Sequence, residues 1–531
     1  MSEENRGAGL DHLLRPERLS RRRVVRDGAG LLAGGMTLVA ERRSGTARSL
    51  APGACFEPSA VPILVNDVHS GLNATWVHGI VRPASLAAIQ EAVLGAGHTG
   101  RAVSVAGGRH AMGGQQFGSG AVLLDMGSMD RVLAFDLEAG EIEVEAGIQW
   151  PELVAFLVET QRGRARQWSI RQKQTGADRL SIGGAVSANV HGRGLAFRPF
   201  VDDVVSITLV DGQGHILTCS REENAELFRL AVGGYGLFGV VVSVRLRLAP
   251  RQKLERVVEV REVDGLMAAF ERRIAAGYLY GDFQFAIDPA SDDFLRSGVF
   301  SCYRPVDPGT PIAVTQRALS RTDWQELIAL AHVDKRGAVD AYTAHYLATS
   351  GQLYWSDLHQ MADYVDGYHA AIDERLGATV PASEMISELY VPRPSLARFM
   401  EEVREDFRAN AVDLIYGTIR LIERDDETFL AWAREPYACV IFNLHTVHDE
   451  VGIAQSADAF RRLIDRAISH GGSYYLTYHR WATRQQVEAC YPRFAAFLQL
   501  KRRYDPDERF QNDWYRHYRG MCADGIGVNR A

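Results

Sequence analysis

The chain has 531 residues, 46% of them hydrophobic and 24% charged, with a formal net charge of -7. That length exceeds what one hydrophobic core usually serves, so two domains are expected. The charge balance excludes a global basic field for nucleic acid, and six scattered cysteines without a C-x-x-C pair indicate neither a zinc cage nor a disulfide framework.

The first 55 residues differ from the rest. Arg21, Arg22 and Arg23 precede an apolar stretch over residues 29–40. Spanning a bilayer takes about 20 residues, so no transmembrane segment is expected here. Paired arginines, a weak apolar region and further arginines before small residues resemble a twin-arginine export signal. Two readings stand: export through that signal to the periplasm, or a disordered cytoplasmic tail. Cys55 does not make a lipoprotein site, because Pro52 stands where leucine is wanted.

From residue 60 the pattern becomes regular. "PASLAAIQEAVLGAGHTG" has helical apolar spacing and a terminal glycine. "RAVSVAGG" is a strand running into glycines, and "GAVLLDMGSM" is another strand. "RVLAFDLEAGEIEVEAG" and "VDDVVSITLVDGQGHILTCS" alternate around turn residues and predict two hairpins. "QWPELVAFLVET" predicts a helix, and "NAELFRLAVGGYGLFGVVVSVRLRLAP" predicts helix, glycine turn and strand. Gly234, Gly236 and Gly239 satisfy G-x-G-x-x-G, but a helix precedes them and a strand follows. A dinucleotide fingerprint needs the reverse order, so these glycines are assigned to a tight turn.

Two glycine-rich segments carry the chemistry. In "VSVAGGRHAMGGQQFG" a strand delivers glycines whose backbone could face a pyrophosphate. In "TGADRLSIGGAVSANVHGRG" a run of small residues ends at His191 and Gly192, bare enough for a large flat ligand. Together they resemble the vanillyl-alcohol-oxidase family, the PCMH-type FAD-linked oxidoreductases. "WVHGIVRPASLAAIQEAV", "VLLDMGSMDRVLAFDLEAGEIEVEAGIQWPELVAFL", "ELFRLAVGGYGLFGVVVSVRLRL" and "YPRFAAFLQLKRRYDPDERFQNDW" match further family segments in order. The loop is similar to that of alditol and aldonolactone oxidases. "GGAVSANVHGRG" and "YLTYHRWATRQQVEACYPRF" are similar to decaprenylphosphoryl-ribose oxidase.

The resemblance implies an α+β chain: a PCMH-type two-part FAD-binding domain with an antiparallel-sheet substrate (cap) domain. It divides into residues 1–55 (signal-like tail), 56–252 (FAD-binding), 253–470 (substrate) and 471–531 (a segment returning to the FAD domain). For FAD it implies a pyrophosphate loop of Ala106, Gly107, Gly108, Arg109, His110, Ala111 and Met112. Gly176, Ser181, Ile182, Gly183 and Gly184 would form a second contacting strand and turn. Asn189, Val190, His191 and Gly192 would lie near the isoalloxazine, Val241 at a flavin or adenine edge, and Tyr475 and Asn512 would close the site. In the alditol-oxidase group the residue matching His110 is bonded to the flavin 8α-methyl, so the resemblance implies a covalent flavin. The decaprenylphosphoryl-ribose group has no histidine there and holds FAD non-covalently.

In residues 253–470 strands such as "EMISELYVPR", "DLIYGTIRLIE" and "YACVIFNLHTV" alternate with helices, suggesting an antiparallel sheet with helices on one face. Arg420 resembles an arginine facing the flavin in alditol oxidases. That group has an acid two positions earlier, where this chain has Thr418. A lysine of the other group is replaced by Tyr478, followed by His479. Tyr478, His479 and Arg420 are the expected catalytic residues. His445 and His448 are read as a solvated turn, and no metal site is expected. The implied function is oxidation of a CH–OH group in a sugar, polyol, lactone or related metabolite. Hydride would pass to the flavin, with oxygen or a carrier protein as final acceptor. A flavin-dependent C=C reductase, or a flavin protein without turnover, is the alternative.

Overall fold

The computed structural model describes residues 61–362 and 367–523. The twin-arginine-like segment and Cys55 lie outside them. The strands Gly79–Val81 and Val103–Ala106 run parallel on either side of Val122–Asp125. The helix Leu86–His98 connects the outer two. Ser85 Oγ caps it by accepting from the Ala88 N–H at 3.2 Å. Ile89, Ala92, Val93 and Ala96, at helical spacing, form its buried face.

Both expected hairpins are present, paired at Phe135 to Ile142 and at Leu209 to Leu217. They join one five-stranded antiparallel sheet in the order Ile216–Ser220, Val204–Val210, Val240–Arg247, Glu141–Glu145, Val132–Asp136. The glycines of "GYGLFG" make the turn before Val240–Arg247. A Cβ on Gly234 would stand 2.1 Å from the Leu230 carbonyl oxygen, and Gly236 has φ +72°.

The third layer is an eight-stranded antiparallel sheet. Its order is Leu353–Trp355, Lys253–Glu262, Ser297–Pro305, Tyr280–Phe285, Leu414–Ile422, Tyr437–Val447, Ala382–Pro392, Ser473–Tyr474. The helices Leu396–Ala409 and Glu450–Ser469 cover one face, where Phe407 meets Phe442 at 5.4 Å and Ser456 Oγ meets Thr446 Oγ1 at 2.8 Å. The sequence pattern placed helices on one face; the opposite face carries helices as well. Two helices, Arg321–Val333 and Lys335–Ala348, lie on it beside the FAD-binding segments. Trp324, Leu327, Ile328 and Ala331 of the first, and Ala338, Val339, Tyr342 and Tyr346 of the second, line the cavity at helical spacing.

Two local expectations are corrected. Residues 182–188 form a helix, Ile182–Ala188, rather than a strand and turn. Ser181 Oγ caps it by accepting from Gly184 N–H at 3.2 Å, and Asn189 ends it in the left-handed region at φ 47°. Capping here overrides the poor helix propensity of two glycines. His445, expected in a solvated turn, lies within the strand Tyr437–Val447.

The last segment closes back onto the first sheet. Val103 N–H donates to the Arg509 carbonyl at 2.6 Å, and Gln511 N–H donates to the Val103 carbonyl at 3.0 Å. Phe510 thereby enters a core cluster with Val103, Val122 and Val240, and is 1% exposed. Phe510→Ala should cost about 3–5 kcal/mol, the usual range for emptying a buried aromatic site. Denaturant unfolding of the full chain measures it; a loss under ~1 kcal/mol would mean that this closure contributes little.

Candidate active site

A cavity of about 690 Å³ lies between the glycine segments and the eight-stranded sheet. Of the expected cofactor residues, Gly107 through Met112, Gly176, Ser181, Gly183, Gly184, Val190, His191, Val241 and Tyr475 line it. Tyr478 and Arg420 line it too.

The remaining expected residues serve it indirectly or face away. Ala106 and Ile182 are buried among hydrophobic neighbours. Asn189 donates to Asp425 Oδ2 at 3.0 Å and accepts from Val201 N–H at 2.9 Å, a joint between segments rather than a ligand contact. Gly192 is a close approach: a Cβ there would stand 2.6 Å from the Lys173 carbonyl oxygen. Asn512 donates to the carbonyls of Gln115 at 2.7 Å and Tyr235 at 3.0 Å. It therefore supports the wall from behind.

His479 is the clear departure. Its ring stacks on Phe460 at 4.7 Å and on Trp481 at 5.2 Å, on the far side of the sheet, and Nε2 meets Ser387 Oγ at 3.2 Å. Burial pushes its pKa down to about 3. Tyr478 and His479 are consecutive residues pointing to opposite sides of the sheet, so only one can reach the cavity.

The group that sequence reading missed is Glu388. It is 1% exposed, yet it lines the cavity. His191 Nε2 lies 2.5 Å from its Oε1. Tyr390 Oη donates to the same oxygen at 2.6 Å and Cys439 Sγ at 3.0 Å. Tyr478 Oη donates to Oε2 at 3.3 Å. Burial alone would raise this carboxyl, but the charge and hydrogen bond of His191, with Tyr390 and Cys439, bring it down to about 2 from 4.5. The linked stability is therefore complete above about pH 4.5 and is lost as the pH falls toward 2.

Register explains why the acid escaped notice. Thr418 pairs with Ile441, and Ile441 pairs with Glu388. The transverse row that has threonine on one strand thus carries a carboxylate two strands away. A signal was present: Glu384 and Glu388, four apart in an otherwise apolar strand, share the face that carries the cavity. Arg420 stands two rows further, opposite Cys439, and its buried Nε has no hydrogen-bond partner.

The far end of the cavity is polar and aromatic. Arg256 donates to Tyr303 Oη at 2.8 Å and packs on Tyr346 and Tyr354 at 5.0 and 4.7 Å. Arg193 lies 3.8 Å from Asp282. Neither ring nitrogen of buried His359 has a hydrogen-bond partner, and burial holds its imidazole well below its usual range.

The glycine walls are bare because nothing larger fits. A Cβ on Gly107 would stand 2.0 Å from Ser181 Oγ, and one on Gly108 would stand 2.2 Å from the Arg179 carbonyl oxygen. Arg109, the next residue, adopts φ 58°, a conformation that non-glycine residues hold only when the surroundings enforce it. At the same walls Thr175 Oγ1, Gln174 Nε2 and Gln116 Oε1 are buried without partners. Bare backbone together with orphaned polar atoms fits a large, polar, flat ligand such as FAD.

Residues 77–220 match the family model of an FAD binding domain. That match shows an FAD-binding domain of the PCMH type in this part of the chain. It is similar to an L-gulono-1,4-lactone dehydrogenase of Mycobacterium tuberculosis, 24% identical over 83% of this chain and 96% of that one. It is similar also to cytokinin dehydrogenase 5 of Oryza sativa, 24% identical over 83% and 84% of the two chains. An uncharacterized oxidoreductase of Rhodococcoides fascians is 29% identical over 41% of this chain and 48% of its own, so that match spans about half of the relative's length.

Gly108→Ala should lower the flavin bound per chain, since the new Cβ meets backbone. Gly95→Ala should not, because nothing stands within 4 Å of that position. The flavin-to-protein absorbance ratio of the purified chains checks both; equal ratios would remove the loop from cofactor binding.

Proposed function

We propose that this protein oxidises a CH–OH group of a sugar, polyol, lactone or related hydroxylated metabolite, with FAD held along the glycine walls. The observation that carries the reading is the buried Glu388 carboxylate, set beside Arg420 in the cavity wall. The polar, aromatic far end supports a hydroxylated substrate, and the similarity to an L-gulono-1,4-lactone dehydrogenase points the same way.

When bound, the flavin supplies a two-electron acceptor for the carbinol hydride. The chain's own groups handle the proton and the charge. Glu388 Oε2, held only by the long Tyr478 contact, is the free face of the carboxylate and takes the hydroxyl proton. His191, Tyr390 and Cys439 keep the other oxygen occupied, which fixes the carboxylate plane. Arg420 contributes a cation to the same wall and stabilises negative charge developing on the substrate oxygen or the cofactor. Met112 and Tyr475 line the cavity and help to exclude water from it.

His110 lines the cavity within the glycine loop and is the nucleophile for a covalent flavin link at the 8α-methyl. After acid precipitation the yellow colour should remain with the wild-type protein and leave with the supernatant in His110→Ala. Flavin recovered free from the wild type would mean non-covalent binding.

The catalytic assignment is tested by anaerobic mixing with aldonolactones and polyols, following bleaching of the flavin. Glu388→Gln keeps the size and several hydrogen bonds but removes the charge. It should slow flavin reduction by about 10²- to 10⁴-fold, the usual cost of losing a proton-transfer group. His479→Ala should leave the rate close to wild type. Reduction of Glu388→Gln at the wild-type rate would sink the assignment of Glu388 as base.

A further inference from the structure

A second buried cluster lies along the same sheet face, one helical-pair width from the groups above. Glu384 is opposite His445 in the strand register. His332, in the last turn of the helix Arg321–Val333, reaches the same point from above the sheet. His332 Nε2 lies 3.0 Å from Glu384 Oε1, and His445 Nδ1 lies 3.7 Å from it. The three donor atoms all fall within 4.8 Å of one another.

These approaches are not hydrogen bonds. His332 Nε2 and His445 Nδ1 are both buried, and neither has a hydrogen-bond partner. The His332 side chain is 3% exposed, so water does not compensate. An imidazole nitrogen this close to a carboxylate, yet misaligned for N–H donation, aims its lone pair elsewhere. Two such nitrogens and a carboxylate oxygen, all within 4.8 Å of one another, have the spacing of a metal site. Tetrahedral zinc with bonds near 2.0–2.2 Å sets neighbouring donors about 3.3 Å apart, between the two separations found here.

The other carboxylate oxygen is already held. His369 Nδ1 lies 2.8 Å from Glu384 Oε2, and Tyr368 Oη donates to the same atom. His369 Nε2 in turn lies 3.0 Å from the His69 carbonyl oxygen. Glu384 is thus turned to offer Oε1 alone, with the supporting bonds that metal-binding carboxylates need.

We propose that His332, Glu384 and His445 bind one divalent transition-metal ion of the zinc class. Two imidazoles and one carboxylate form a donor set typical of zinc, and leave a fourth position. Of the three proposed ligands, Glu384 also lines the cavity. The fourth ligand is water or an oxygen of the bound substrate. The site is independent of the flavin assignment, since it shares no residue with the glycine walls or with Glu388.

The test uses the tag-free, full-length, flavin-loaded protein, treated with chelator and dialysed against zinc or cobalt(II). The expected result is one ion per chain by elemental analysis, and visible cobalt(II) bands of tetrahedral intensity. Glu384→Gln and His445→Asn should each weaken zinc binding by about 100-fold and abolish those bands. His448→Ala is the control. His448 is three residues along and bonded to Ser383 Oγ at 2.9 Å, and its removal should leave binding intact. Flavin content and melting temperature report folding separately, so a variant that fails to fold is replaced by the other in the comparison. Retention of no zinc by the wild type, or equal binding by wild type, Glu384→Gln and His445→Asn, would overturn the proposal. Equal loss in His448→Ala would overturn it as well.

Discussion

A carboxylate cannot leave water without replacing what water gave it. Glu388 sits at the centre of this molecule with almost no exposure, and its replacements come from three parts of the chain. His191 follows the short helix of the second glycine segment, Tyr390 and Cys439 lie on neighbouring sheet strands, and Tyr478 lies on the segment that returns from the sheet. Of these, His191 belongs to the glycine segments, and its contact with Glu388 would be lost if the sheet moved away from them. The buried charge therefore holds the two sides of the cavity in one arrangement, and that arrangement is the site.

The same logic sorts the rest of the wall. Groups with partners on all sides, such as Asn189 and Asn512, tie segments together. Several groups left without partners face the cavity, among them Arg420 Nε, His359, Thr175 Oγ1 and Gln174 Nε2. Burying a polar atom unpaired costs about 1–3 kcal/mol, and several such costs concentrated in one place mark where a polar ligand belongs. The metal-donor cluster at Glu384 has the same character, with two imidazole nitrogens that converge without hydrogen-bonding.

Alternation along a strand makes this economical. Glu384, Ile386 and Glu388 line the cavity, while Ser387, between the last two, contacts His479 on the helix-covered face. One strand thus supplies a metal donor and a carboxylate to the cavity, and packing contacts to the core, because successive side chains point to opposite faces.

Local chemistry was legible in the sequence. The glycines of "AGGRHAMGG" and "SIGGAVSANVHG", the hairpins, the amphipathic helix Leu86–His98 and the turn at "GYGLFG" follow from propensities and spacings acting over a few residues. They were enough to define the cofactor walls and the family resemblance. The helices Arg321–Val333 and Lys335–Ala348 carry apolar residues at helical spacing, but which surface that stripe faces, a cavity and not a core, was not legible. Nor were Glu388 and the His332–Glu384–His445 cluster. Their meaning lies in the pairing of Thr418 with Ile441 and Glu388, and of Glu384 with His445, across strands far apart in the chain. A sequence records which side chains alternate within a strand; only the tertiary structure sets which strand lies beside which, and so which charges must find each other once water is gone.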